Sequence, residues 1–194
     1  FTRPSTAVSN TFVSWEIIEY IGPVGGANEI IVRSQNTVTY SSTSTTVSSI
    51  SIPGIISDTE IVPFITGQFN PDTARADYNT GISTAAWNSI TDQIVFTRGE
   101  AGSDASRVSW ALVEFTGSNW NIQRIEHTYT NAGVIETEPI VPINDLSRAF
   151  IHAQKRSGLG LAGIDEFGHE IWLSSTSQIS FQLQSGATSP NLQT

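Results

Sequence analysis

Hydrophobic and polar residues alternate along this chain in short runs separated by turn-forming residues. In Ser14-Trp15-Glu16-Ile17-Ile18-Glu19-Tyr20, Trp15, Ile17 and Glu19 share one side and Glu16, Ile18 and Tyr20 the other. That period of two is expected of a β-strand with one buried face. Glu29 to Tyr40 and Thr45 to Ile52 are rich in β-branched residues, and Pro53-Gly54 closes the second run. Glu60 to Phe69, Ile82 to Ile90 and Asp92 to Arg98 bring the first half to six or seven predicted strands. A second series starts at Arg107, Trp120, Val134, Arg148, His169 and Ser177. No stretch sustains a 3.6-residue period behind a capping residue, so no helix is predicted.

The two series are copies of one unit. Val13-Ser14-Trp15 recurs as Val108-Ser109-Trp110 at an offset of 95, and Glu19-Tyr20 matches Glu114-Phe115. Arg33 matches Arg124 at 91, and Pro53 matches Pro142 at 89. Phe64-Ile65 and Gln68 match Phe150-Ile151 and Gln154 at 86. Trp87 matches Trp172 at 85, as do Gln93-Ile94 and Phe96 with Gln178-Ile179 and Phe181. The offset only shrinks, as it should when a second copy has shorter loops, because loops tolerate deletion and paired strands do not. The reading is an all-β fold of two tandemly duplicated antiparallel β-sandwich units, immunoglobulin-like or jelly-roll in type. Residues 1–100 form the first unit and residues 101–194 the second, with Trp15 expected over Trp110 and Trp87 over Trp172 in equivalent buried positions.

Phe1-Thr2-Arg3 precedes Trp15 by the same interval at which Phe96-Thr97-Arg98 precedes Trp110. The match predicts that the N-terminal segment is no free tail. It is expected to add a strand to the first unit or to a neighbouring subunit. With no methionine to initiate it, the sequence reads as a processed product or a segment of something longer.

Composition narrows the function more than the fold. The chain has 194 residues, 38% of them hydrophobic and only 14% charged, with a formal net charge of −9. A surplus of acid argues against a nucleic-acid partner, whose phosphates demand Lys and Arg, and against an anionic membrane surface. No cysteine is present, so disulfides and thiolate metal sites are excluded. No apolar stretch reaches the length of a membrane span.

Candidate chemistry is sparse, and no cofactor is implied. Glu19 and Glu114 lie on the tryptophan face of matching strands, and a half-buried carboxylate needs a cation. Each is expected to pair with the arginine of the following strand, Glu19 with Arg33 and Glu114 with Arg124, as a structural bridge and not as a glycosidase-type acid pair. Asp165, Glu166, His169 and Glu170 form the densest polar cluster, a weak metal candidate that reads first as a solvated hairpin turn. Gly158-Leu159-Gly160 lacks the lysine and helix of a phosphate loop. His127, His152 and His169 come with no nucleophile signature. Trp120, which has no counterpart in the other copy, is the one candidate for an exposed stacking platform.

The pattern Ser-Trp-x-x-x-Glu-[Tyr/Phe], followed by an Arg-bearing strand such as Gln123-Arg124, resembles β-repeats of bacteriophage virion proteins and bacterial surface proteins. The first copy carries Val32-Arg33 at the second element. The resemblance implies a non-enzymatic structural protein of a virion or extracellular assembly, as a capsid-decorating, tail or fibre component. Its partners are then other subunits of the same assembly in a homo-oligomer, with no nucleic acid and no membrane. The alternative is a carbohydrate-binding or adhesive surface module, with a glycan at Trp120.

Overall fold

Residues Arg107–Glu114 carry the cleanest alternation in the chain. Val108, Trp110, Leu112 and Glu114 are buried while the residues between them are not. In the computed structural model, which describes residues 16–70, 78–102, 105–130, 133–156 and 169–183, this stretch is a central strand. The described strands are β1 (Ile31–Thr39), β2 (Thr46–Ser48), β3 (Ile61–Phe69), β4 (Ser83–Asn88), β5 (Gln93–Arg98), β6 (Arg107–Glu114), β7 (Ile135–Pro139), β8 (His169–Ser175) and β9 (Gln178–Leu183). Among the described residues, helical structure is confined to one short turn at Tyr78–Gly81 and a 3₁₀ turn at Leu146–Arg148. The fold is all-β, as the alternation predicts.

The strands form three small antiparallel sheets, ordered β1-β6-β3, β2-β5-β4 and β7-β9-β8. The second and third sheets repeat one another. Each puts its last strand in the middle, and matching aromatics hold matching places. Phe96 lies between Val47 and Ala85, and Phe181 between Glu136 and Ile171.

One tryptophan pair departs from the expected equivalence. Trp87 pairs with Ile94 on the core face, whereas Trp172 pairs with Ser180. In the first copy residues 89–92 close the β4–β5 turn, with Asp92 in the left-handed region at φ 52°. In the second, Thr176 and Ser177 close the β8–β9 turn and a bulge falls between Leu173 and Ser175. The net slip is one residue, which moves a side chain to the other face of its sheet. Trp87 therefore packs on the first core, while Ile171 packs on the second in place of Trp172. Of the other pair, Trp110 is buried and Trp15 lies outside the described residues.

The first core is shared by two sheets. Ile61, Val108, Trp110 and Leu112 come from one, Ile94 and Phe96 from the other, and Tyr40 and Ile52 close the ends. The second core is smaller: Tyr129, Ile179, Phe181 and Leu183, flanked by Ile125, Ile140, Ile151 and Ile171. Among the described residues it has one sheet. Residues 121–127 and 149–155, the sequence counterparts of β1 and β3, carry no strand.

In the first sheet the middle strand β6 comes from beyond residue 101 and joins β1 and β3 from before it. A boundary between residues 100 and 101 therefore does not divide the sheets. The strand that opens the second series of sequence matches, β6, lies in a sheet with strands of the first.

A buried cation ties the first half together. Arg98 is 1% exposed and donates from Nε to Ser44 O (2.8 Å), from Nη1 to Thr80 O and Ser106 Oγ (both 2.8 Å), and from Nη2 to Ser41 O (2.9 Å). Its guanidinium lies 4.6 Å from the Tyr40 ring centroid. A delocalised guanidinium with five donors can be satisfied this way by neutral acceptors. Burial pulls its pKa below the usual arginine value. Phe1-Thr2-Arg3, the sequence counterpart of this segment, lies outside the described residues.

Candidate functional site

Glu114 ends β6 completely buried, with both carboxylate oxygens engaged. Oε2 stands 2.5 Å from Arg33 Nε, and Oε1 accepts the N–H groups of Ile56 (2.7 Å) and Ser57 (2.6 Å). Arg33 reaches it from a bulge in β1 between Val32 and Ser34, where the extra residue is released from the ladder and its side chain is re-aimed. A carboxylate held by a cation and two amides is anchored, and at 0% exposure it presents no oxygen at the surface.

The expected partners are thus exchanged by one repeat. Glu114 takes Arg33, not Arg124. Arg124 donates instead to the carbonyls of Thr59 (3.0 Å, from Nη1) and Ile61 (from Nη2). Glu19 is exposed and is not brought to Arg33. The residue types were legible, but the pairing follows from β6 lying between β1 and β3, which no comparison of the two copies contains.

Trp120 is half-buried and no free platform. Its ring meets Phe115 edge-on at 5.0 Å. It lines an open cleft of about 1080 Å³ with Trp87, Asp58, Asn119, Asn121 and Arg124. Two of the polar groups there are already paired: Trp87 Nε1 donates to Asp58 Oδ1 (2.7 Å), and Asn119 Nδ2 to Asn28 Oδ1 (2.9 Å).

A second polar cluster escaped the sequence reading. His127 is 7% exposed, with Nε2 2.7 Å from Glu136 and Nδ1 3.2 Å from Glu138. Its ring lies flat on Phe181, with centroids 4.2 Å apart and an interplanar angle of 11°. Glu136 also accepts from Thr130 N (2.9 Å) and Oγ1 (2.8 Å). Burial first, and then the Glu136 charge, push the neighbouring Tyr129 hydroxyl up to about 12. The available signal was Glu136-x-Glu138, two carboxylates on one face of a strand, with a histidine shortly before them.

Of the weak metal candidates, Asp165 and Glu166 lie outside the described residues, while His169 and Glu170 open β8. Among the described residues, no group of three or more His, Asp or Glu side chains is arranged to hold a metal ion. No helix there is long and apolar enough to cross a membrane.

No family model, curated protein or solved structure matches this chain.

Proposed function

We propose that this chain is a non-enzymatic structural protein of a virion or other extracellular assembly, a decorating, tail or fibre component made of tandem β-sandwich repeats. The observation that supports the reading is the position of β6: it comes from the start of the second series of sequence matches and is the middle strand of a sheet whose other two strands come from the first. A unit built this way is made to join the next one. Ile17, Ile18, Val141 and Phe150 are exposed apolar side chains available to a partner subunit.

Analytical ultracentrifugation of the purified chain, with electron microscopy of the native particle, tests the proposal. The expected result is ordered self-association and location on the particle surface. A chain that stays monomeric at every concentration and is absent from particles refutes it.

The cleft holding Trp87 and Trp120 beside Asn119 and Asn121 supports a second reading, a glycan-binding surface module, since aromatic faces beside amides suit sugar rings. A glycan array separates the two. Saturable binding that is lost on Trp120→Ala supports the second reading, and silence across the array removes it.

A further inference from the structure

We infer that the side-chain amides of Gln68 and Gln154 are edge guards, which fill the seam between β3 and β4 in place of a strand and block strand addition there. The guard acts within a single chain and does not depend on the structural role proposed above.

Among the described residues β3 and β4 are outer strands of their sheets, so each presents main-chain groups outside its ladder. Natural edges are defended by charge, proline or a bulge. β3 has Pro63 and a bulge between Ile65 and Gly67. β4 has none of these, and it pairs with β5 without a break in register. Residues 82–90, Ile-Ser-Thr-Ala-Ala-Trp-Asn-Ser-Ile, carry no charge, no proline and no glycine. An uncharged run of that kind at an edge is a template for pairing with another chain.

Side chains answer the edge groups instead. Ser83 N donates to Gln68 Oε1 and Ala85 N to Gln154 Oε1, both at 2.6 Å. The two amides stand two residues apart, the spacing of outward-facing donors along a strand. On the facing side Gln154 Nε2 donates to Pro63 O at 2.5 Å, and Arg124 donates to Thr59 O and Ile61 O. Those acceptors keep the same spacing. With a carbonyl on one side and an N–H on the other, the Gln154 amide fits in one orientation only. His152 Nε2 lies 3.1 Å from Gln154 Nε2, and its ring rests on Phe64 with centroids 4.3 Å apart, which holds the segment bearing Gln154 over β3.

The Gln154 carboxamide thus does what a peptide group of an inserted strand would do, accepting from one neighbour and donating to the other. Gln68 and Gln154 are matching residues of the two series, yet both turn to β4, and Gln154 crosses from the second half to reach it. Losing Gln154 frees a donor and an acceptor that face each other. They do so where the seam opens on the large cleft, beside Val62, Pro63, Ala85 and Ala86. An extended strand of another chain is then the group that fits, because it offers the same donor and acceptor at the same spacing.

Amide exchange followed by NMR on the full chain tests the plug. In Gln154→Ala the Ala85 amide should exchange about tenfold faster or more, with Ser83 within about threefold of wild type. Gln68→Ala should do the converse. An unchanged Ala85 rate in Gln154→Ala overturns the inference.

Sedimentation tests the guarding, with circular dichroism to show that each variant is folded. Gln154→Ala should self-associate about tenfold more strongly than wild type. Ala86 is exposed on the same strand, and a lysine there deters pairing by charge without restoring the lost bonds. Gln154→Ala/Ala86→Lys should therefore return to wild-type association while its Ala85 amide stays unprotected. Ala86→Lys alone should associate as wild type does, because the edge is already filled. No added association in Gln154→Ala, or added association that survives Ala86→Lys, refutes the guard, since association through general loosening would survive it. If Gln154→Ala does not fold, Gln68→Ala with and without Ala86→Lys decides by the same comparison.

Discussion

Replacing Glu114 by Ala should be among the most damaging single changes in the first half. The carboxylate is fully buried, and its loss strands the Arg33 guanidinium and two main-chain N–H groups, those of Ile56 and Ser57. Breaking one partner of a buried ion pair costs about 3–5 kcal/mol, because the other charge stays behind without its counter-ion. Each orphaned amide adds to this unless water reaches it. For a chain of this size, 1 kcal/mol moves the melting midpoint by about 2–4 °C, so the shift should be roughly 6–20 °C. Circular dichroism and tryptophan fluorescence report it together, since Trp110 is on the same strand. Glu114→Gln keeps an acceptor for the amides but removes the anion, and should fall between wild type and Ala. A double-mutant cycle of Glu114 and Arg33 should show coupling of about 1–3 kcal/mol. Glu19→Ala in dilute solution should stay within about 0.5 kcal/mol of wild type, as an exposed substitution does. A Glu114→Ala midpoint within about 2 °C of wild type, or coupling of Arg33 to Glu19 instead, refutes the exchanged pairing.

Two further changes probe the same half. Arg98→Leu installs the residue that stands at the matching position of the other copy, Leu183, and removes the guanidinium donors from the carbonyls of Ser41, Ser44 and Thr80, leaving Thr80 only the Ser106 hydroxyl and Ser41 only the Ser44 amide. It should cost about 3–5 kcal/mol, read as a lower urea midpoint, and an unchanged midpoint would show that those loops hold without it. Glu29 carries a carboxyl held below the ordinary glutamate range by the Thr116 hydroxyl and then by the Gly25 amide. Its folded pKa is depressed, so its contribution is present above the unfolded value and is lost as pH falls through the folded one. The stability gap between wild type and Glu29→Gln should therefore narrow on acidification below the ordinary glutamate range, and a gap independent of pH refutes the assignment.

The sequence revealed strands and duplication because both leave local traces. Alternation in β5 and β6 marks which residues face inward, and Phe96 and Phe181 keep equivalent places in equivalent sheets. What stayed hidden depends on which strand pairs with which. Comparing the copies shows that Glu114 resembles Glu19, but nothing in that likeness says that β6 serves the earlier repeat. Trp172 was misplaced because a change in turn length, absorbed by a bulge, reverses a face without altering the surrounding sequence. The approach of the Glu29 segment was equally silent. Gly117 lies so close to Ala27 and Glu29 that a Cβ there would stand 2.4 Å from the Ala27 carbonyl oxygen, yet a lone glycine signals a close approach no better than a turn.

The place of β6 between β1 and β3 is insertion rather than edge addition, and insertion is the physically favoured of the two. Ordering a strand costs the same backbone entropy whether it gains one neighbour or two. At an edge that cost is set against one ladder and a half-covered face. Between two strands it is set against two ladders, as β6 makes with β1 and β3 along its whole length, and against a face closed on both flanks. The buried Glu114 adds a selection rule, because a strand lacking that carboxylate would leave an arginine and two amides desolvated and unanswered. Trp110 at the centre supplies the large buried anchor around which such contacts are organised. Packing and charge complementarity of the first sheet are thus carried by one short strand, β6, and they should be lost together when its register is shifted by a single residue.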